Sequence, residues 1–216
     1  MRRNIVWAIA RKDMRAVTRS PKLWLGLVLL PLLLGVLLPS GLVLALRLAD
    51  LGGSEDAQEL LRMAERIPML QDAAQFPTIN HKLVHLFVNY MLGPLFLLIP
   101  VINALMIAVN SFVGEKERRT LESLLLAPVE TVELFAGKAL ASFLPAYGVA
   151  LASFVLCGAA VDGIAYGMFG RLIFPSGAWL VLLLLVAPAF TLLAILFSVL
   201  VSARSKGFQE DRKSVV

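Results

Sequence analysis

Apolar positions in this chain gather into four long blocks. No Asp, Glu, Lys or Arg occurs within 23–46, 83–114, 139–161 or 172–203. A helix needs about 20 apolar residues to cross the hydrocarbon core, and backbone polar groups there must bond within their own segment. The blocks therefore predict an all-α fold, a polytopic membrane helical bundle with transmembrane helices at about 23–47, 86–113, 139–161 and 174–202. Pro31 and Pro39 in the first span, Pro94 and Pro100 in the second and Pro188 in the fourth each remove an amide donor, so bent helices are expected. The third span repeats small residues at intervals of four: Ser142, Ala146 and Ala150, and again Gly148 and Ala152. Such residues let helix backbones approach closely.

Two segments outside the blocks keep helical spacing. Within 1–22, Ile5, Trp7, Ala8, Ile9 and Ala16 supply apolar surface while Arg11, Lys12, Arg15 and Arg19 supply cationic surface. This predicts an amphipathic interfacial helix lying among lipid headgroups and ending at Ser20-Pro21, with Lys22 and Trp24 as interfacial anchors. In the loop 48–85, Ser54 is a good N-cap, Glu55 and Asp56 fall in a favourable first turn, and Ala57, Leu60, Leu61, Ala64 and Ile67 follow until Pro68. A short amphipathic helix is expected there.

Composition closes off other classes. The 216 residues are 59% hydrophobic and 16% charged, with a mean hydropathy of +0.82. Soluble enzymes, secreted disulfide scaffolds and disordered chains do not look like this. The net charge of +5 is a topology signal more than a nucleic-acid one. Residues 1–22, 115–138 and 204–216 hold fifteen Lys and Arg, whereas 47–82 and 162–171 hold five. Basic flanking loops stay cytoplasmic, so both termini are expected inside, and no nucleic-acid partner is expected. Cys157 is the only cysteine, which excludes an intrachain disulfide and a Cys-based metal site.

Candidate chemistry is sparse. Asn89, Asn103 and Asn110 are spaced by multiples of seven in the second span and so share one face by periodicity. Interhelical hydrogen bonding is the favoured reading, and a substrate-facing translocation stripe is the other. His81 and His85 have the i, i+4 spacing of metal ligands, but no nearby carboxylate or Cys completes a set, so they read as an interfacial pair. Asp162 and Arg171 flank a turn and read as solvated charges. Catalytic, cofactor and metal residues are all expected to be absent from the chain.

The segment 114–138, GEKERRTLESLLLAPVETVELFAGK, stands apart. It is charged and joins two spans, yet it contains Leu121, Leu124, Leu125 and Leu126, which a connecting loop does not need. Thr120 can cap a short helix that Pro128 ends, giving a leucine ridge between charged shoulders. Such a ridge suits docking into a groove of a soluble partner, or packing on its own spans. Gly137-Lys138 lacks the upstream glycine of a phosphate-binding loop.

This segment resembles the signature of type-two ABC exporter permeases, in which E-x-E-x-G-T-L-E-x-L-L-x-x-P is followed by G-K at the next span. Glu115, Glu117, Thr120, Leu121, Glu122, Leu124, Leu125, Pro128, Gly137 and Lys138 match in order and spacing. Arg119 stands where the family usually has Gly, implying a less sharp turn before the helix. The resemblance implies a permease domain over 23–210 and a coupling loop that contacts a separate cytoplasmic ABC ATPase subunit, which would carry the ATP. Leu121, Leu124 and Leu125 would be apolar knobs, the glutamates would pair with the partner's basic residues, and Lys138 would snorkel from the end of its span. It also implies a second permease subunit, as a homo- or heterodimer, in a prokaryotic plasma membrane. The alternatives are a membrane scaffold that docks a cytoplasmic partner without transport and a haem-maturation exporter component. Family members usually have six spans, so a truncation after the fourth is expected. The tail 211–216, DRKSVV, back-translates into a widely used sequencing adapter and is expected to be non-native.

Overall fold

The structure is a computed structural model that describes residues 2–49, 54–67, 72–73, 75–117 and 130–204. The tail 211–216 lies outside the described residues. Among those described there is no strand, and four helices are long and apolar enough to span a membrane. The first helix, α1, is Arg3–Arg19. The spans are α2 (Pro21–Leu48), α4 (Ile79–Ser111), α5 (Thr131–Phe169) and α6 (Gly177–Val201). Between α2 and α4 lies the short helix α3, Glu55–Glu65, whose entry is capped as its sequence suggests: Ala57 N–H donates to Ser54 Oγ at 3.3 Å. The helix of α4 continues to Glu117 and that of α6 to Arg204.

Three of the spans contain a π turn, and each lies just before a proline. The turns are Leu33–Leu37 ahead of Pro39, Phe87–Met91 ahead of Pro94, and Leu182–Val186 ahead of Pro188. Proline cannot donate to the preceding turn and its ring crowds the carbonyl four residues back. Widening the turn by one residue relieves that crowding and keeps the helix unbroken. α5 carries Pro145 within one uninterrupted α-helix.

The chain forms two compact units. One draws on Met1–Leu29, Leu98–Val149 and Val186–Val216. Its core joins Val17 of α1, Leu27 of α2, Ala104 and Ile107 of α4, Ala146 of α5 and Ile195 of α6. Gly26 lets α2 come close to Met106, because a Cβ there would sit 3.1 Å from the Met106 sulfur. Asn103 is buried beside this contact and donates to the Leu27 carbonyl at 3.2 Å.

The other unit draws on Leu30–Leu97 and Ala150–Leu185. Ala57 and Leu61 are the buried face of α3, with Leu61 packing on Ala73 and Leu86, while Leu60 and Ile67 are exposed. An aromatic cluster of Phe96, Phe154, Phe174 and Trp179 has ring centroids 4.9 to 6.0 Å apart. The Trp179 indole donates to the carbonyl of Val88, inside a π turn, at 3.2 Å. A neighbouring helix thus supplies a donor where the ladder is disturbed, as a dry environment requires. Asn80 closes the end of α2 by donating to the Leu46 and Ala49 carbonyls at 2.7 and 2.6 Å. Asp162 corrects the sequence reading. It is buried, and its Oδ1 accepts from the N–H groups of Ile173 and Phe174 at 2.9 and 3.1 Å, so it shapes the turn into α6. Arg171 is exposed and lies over the Phe76 ring, 5.6 Å from its centroid.

Of the two small-residue stripes in α5, one packs. Ser142, Ala146 and Ala150 are buried, whereas Gly148 and Ala152 are exposed.

Candidate coupling site

The helix that carries α4 runs to Glu117 and α5 starts at Thr131, so the leucine-bearing segment is held between two helix ends. Glu115 and Glu117 have helical backbone at the end of the first. Thr120, Leu121, Glu122, Leu124, Leu125 and Pro128 lie outside the described residues. Gly137 and Lys138 fall within α5, and both meet α1.

The stripe through which α1 packs includes a charge. Val6, Ala10, Asp13 and Val17 are buried at helical spacing, while Trp7, Ala8 and Ala16 are exposed. The approach to α5 is close: a Cβ on Gly137 would lie 2.8 Å from Ile9 Cβ and 3.0 Å from the Val6 carbonyl. Only glycine leaves room for the two backbones at this distance.

Asp13 therefore arrives in the interior carrying a carboxylate, and Lys138 meets it. Lys138 is 1% exposed, so it does not snorkel. Its Nζ lies 3.4 Å from Asp13 Oδ2 and donates to Ser111 Oγ at 2.9 Å and to the Ser111 carbonyl at 3.1 Å. Ser111 Oγ in turn donates to Asp13 Oδ2 at 3.0 Å. The exposed Lys12 ammonium stands 3.3 Å from the other carboxylate oxygen. Snorkelling would have been cheaper for a lone lysine, but a buried acid with a hydroxyl between them compensates for the lost water. Two residues into α5, the buried Glu133 accepts from the Arg2 N–H, and Arg2 Nη2 lies 3.6 Å from its second oxygen. Asp13 of α1 and Arg2, just ahead of that helix, are thus tied to the root of α5, and Asp13 also to the end of α4.

Sequence reasoning singled out Gly137 and Lys138 and missed Asp13, Ser111, Glu133 and Arg2. A signal for Asp13 was present. It is the only acid in the first 49 residues, and it sits in register with Val6, Ala10 and Val17.

The other candidates disperse. Asn103 bonds between helices, whereas Asn110 is exposed and donates to Met106 O in its own helix at 2.7 Å. Asn89 belongs to the other unit and turns back on His85, donating to its carbonyl at 3.2 Å. His81 Nε2 donates to the Met168 carbonyl at 3.0 Å, which leaves Nδ1 to accept from the Thr78 hydroxyl. Among the described residues no group of His, Cys, Asp and Glu could hold a metal ion.

No curated protein and no solved structure matches the chain. A family model described as ABC-2 family transporter protein matches residues 7–208, which take in most of α1, all four spans and the segment between α4 and α5. The chain therefore belongs to the ABC-2 transporter family, as a multi-pass membrane permease component of an ABC transporter.

Proposed function

We propose that the chain couples ATP hydrolysis by a separate cytoplasmic ABC ATPase subunit to substrate export across a prokaryotic plasma membrane. The observation that supports this most is the signature at 114–138, held between the end of α4 and the root of α5. ATP-driven closure of an ATPase pair needs a stiff contact through which to push on the spans, and helix ends tied to α1 supply one. Leu121, Leu124 and Leu125 dock in the ATPase, with Glu115, Glu117 and Glu122 as polar contacts around them. ATP sits on that partner. A second permease subunit completes the pathway, both termini are cytoplasmic, and anionic lipid covers the exposed cations of α1.

Co-purification tests the reading. The tagged chain is expected to bring down an ABC ATPase from its native membrane and to change that enzyme's vanadate-sensitive ATP turnover. Replacing Leu121 and Leu125 together by Asp should abolish this association while membrane insertion persists. Wild-type recovery of the ATPase by the double variant would sink the docking role.

A further inference from the structure

We propose that Asp13 and Lys138 are positioning residues, a buried ionic clasp through which α1 fixes the two helix ends that carry the coupling segment. The inference rests on the coupling role given to 114–138, and it adds a part of the chain that the signature does not contain.

The clasp joins three helices at one point. Asp13 belongs to α1, Ser111 to α4 and Lys138 to α5, and Asp13 Oδ2 receives from both of the others. The side chains of Lys138 and Asp13 are 1% and 8% exposed, so the pair is withdrawn from water. Burying two opposite charges gains little stability over packing apolar groups of the same size, because desolvation consumes most of the attraction. What an ionic pair does provide is a defined partner and register. Removing either side takes from the other buried charge a close, oppositely charged neighbour, which disfavours other registers of the three helices.

Its location gives that geometry a use. Ser111 and Lys138 bracket the segment that leaves α4 and enters α5. Gly137, next to the lysine, admits α1 to near backbone contact, and Arg2 holds Glu133 one turn earlier. A push delivered to 118–129 reaches the spans through these two roots. Held by α1, they move together, whereas without the clasp each would yield separately.

Hydrogen–deuterium exchange on the full chain in lipid nanodiscs tests this directly. Asp13→Asn keeps the shape and removes the charge, and Lys138→Met removes the other partner. Each should speed exchange of amides in 112–117 and 130–137 by at least about tenfold, with 146–160 unchanged. The conservative Asp13→Glu and the exchanged pair Asp13→Lys with Lys138→Asp should restore protection. In the second arm, the ATPase that co-purifies with the wild-type chain should bind Asp13→Asn equally well but turn over about tenfold less in response to it. Wild-type exchange in both single variants, or normal stimulated turnover alongside accelerated exchange, would overturn the proposal. If the wild-type chain recruits no ATPase, the coupling role fails by itself, and unchanged exchange remains the separate result that removes the clasp.

Discussion

Asn103 and Asn110 look alike in sequence and differ in what their amides reach. Asn103 donates across to Leu27 of another helix, whereas Asn110 donates to Met106 of its own. Asn103→Leu should cost about 0.6 kcal/mol, the average for an interhelical hydrogen bond in a membrane. Asn110→Leu should cost nothing measurable in the same denaturation assay. Gly137 gives a sharper case, since a methyl group there would press on Ile9 and the Val6 carbonyl. Gly137→Ala should destabilise the docking of α1 by about 1–3 kcal/mol, seen as faster proteolysis within 2–20 and a lower melting temperature. Neither contrast was legible beforehand. Spacing by sevens places side chains on a face but does not say what that face meets, and a glycine beside a lysine carries no sign of the helix that will lie against it. Asp13 was passed over for a related reason: in a helix full of cations, a lone acid reads as solvated until a buried lysine is found opposite.

The spans themselves were legible, because twenty or more residues without charge have few other places to be. The ends of the helices that carry them were not. α5 starts at Thr131, although Glu133 and Lys138 would ordinarily mark water, because those charges are paired inside the protein. α4 starts at Ile79, where Thr78 caps the helix by accepting from the His81 N–H. The π turns were hidden as well. Prolines announced disturbed helices, but not that the disturbance would be one extra residue accommodated upstream. Such a residue turns everything beyond it by about 100° relative to a plain helix. Counting by sevens from Asn89 to Asn103 therefore crosses the turn at Phe87–Met91 and loses register. A deletion should expose the same fact. Removing one leucine from Leu182–Leu185 converts the π turn to an α turn and restores the crowding at Pro188. It leaves the helix beyond in a plain α register, however, and should be partly tolerated, with reduced but detectable protein levels in membranes. Removing Ala146 from the uninterrupted α5 should not be, because its buried stripe would then rotate out of the core.

At the scale of the molecule, the fifteen-to-five split of basic residues predicts on which side each connection lies. Cys157 is buried, so thiol reagents should leave the wild-type chain unlabelled. Single cysteines at exposed positions in 55–63 should then react from outside intact cells, and those at Val132 or Phe135 only after the membrane is opened. Labelling of both sets from one side would remove the four-span arrangement. The clasp also sets an order of events during synthesis. Asp13 and Lys138 are 125 residues apart along the chain. At about 5–20 residues per second, Asp13 is added to the chain roughly 6–25 seconds before Lys138. Through that interval its acid has water, headgroups and the neighbouring Lys12 for company, but no buried partner. The first helix to be made is thus among the last to be seated, and its seating reports that the third span has arrived in place.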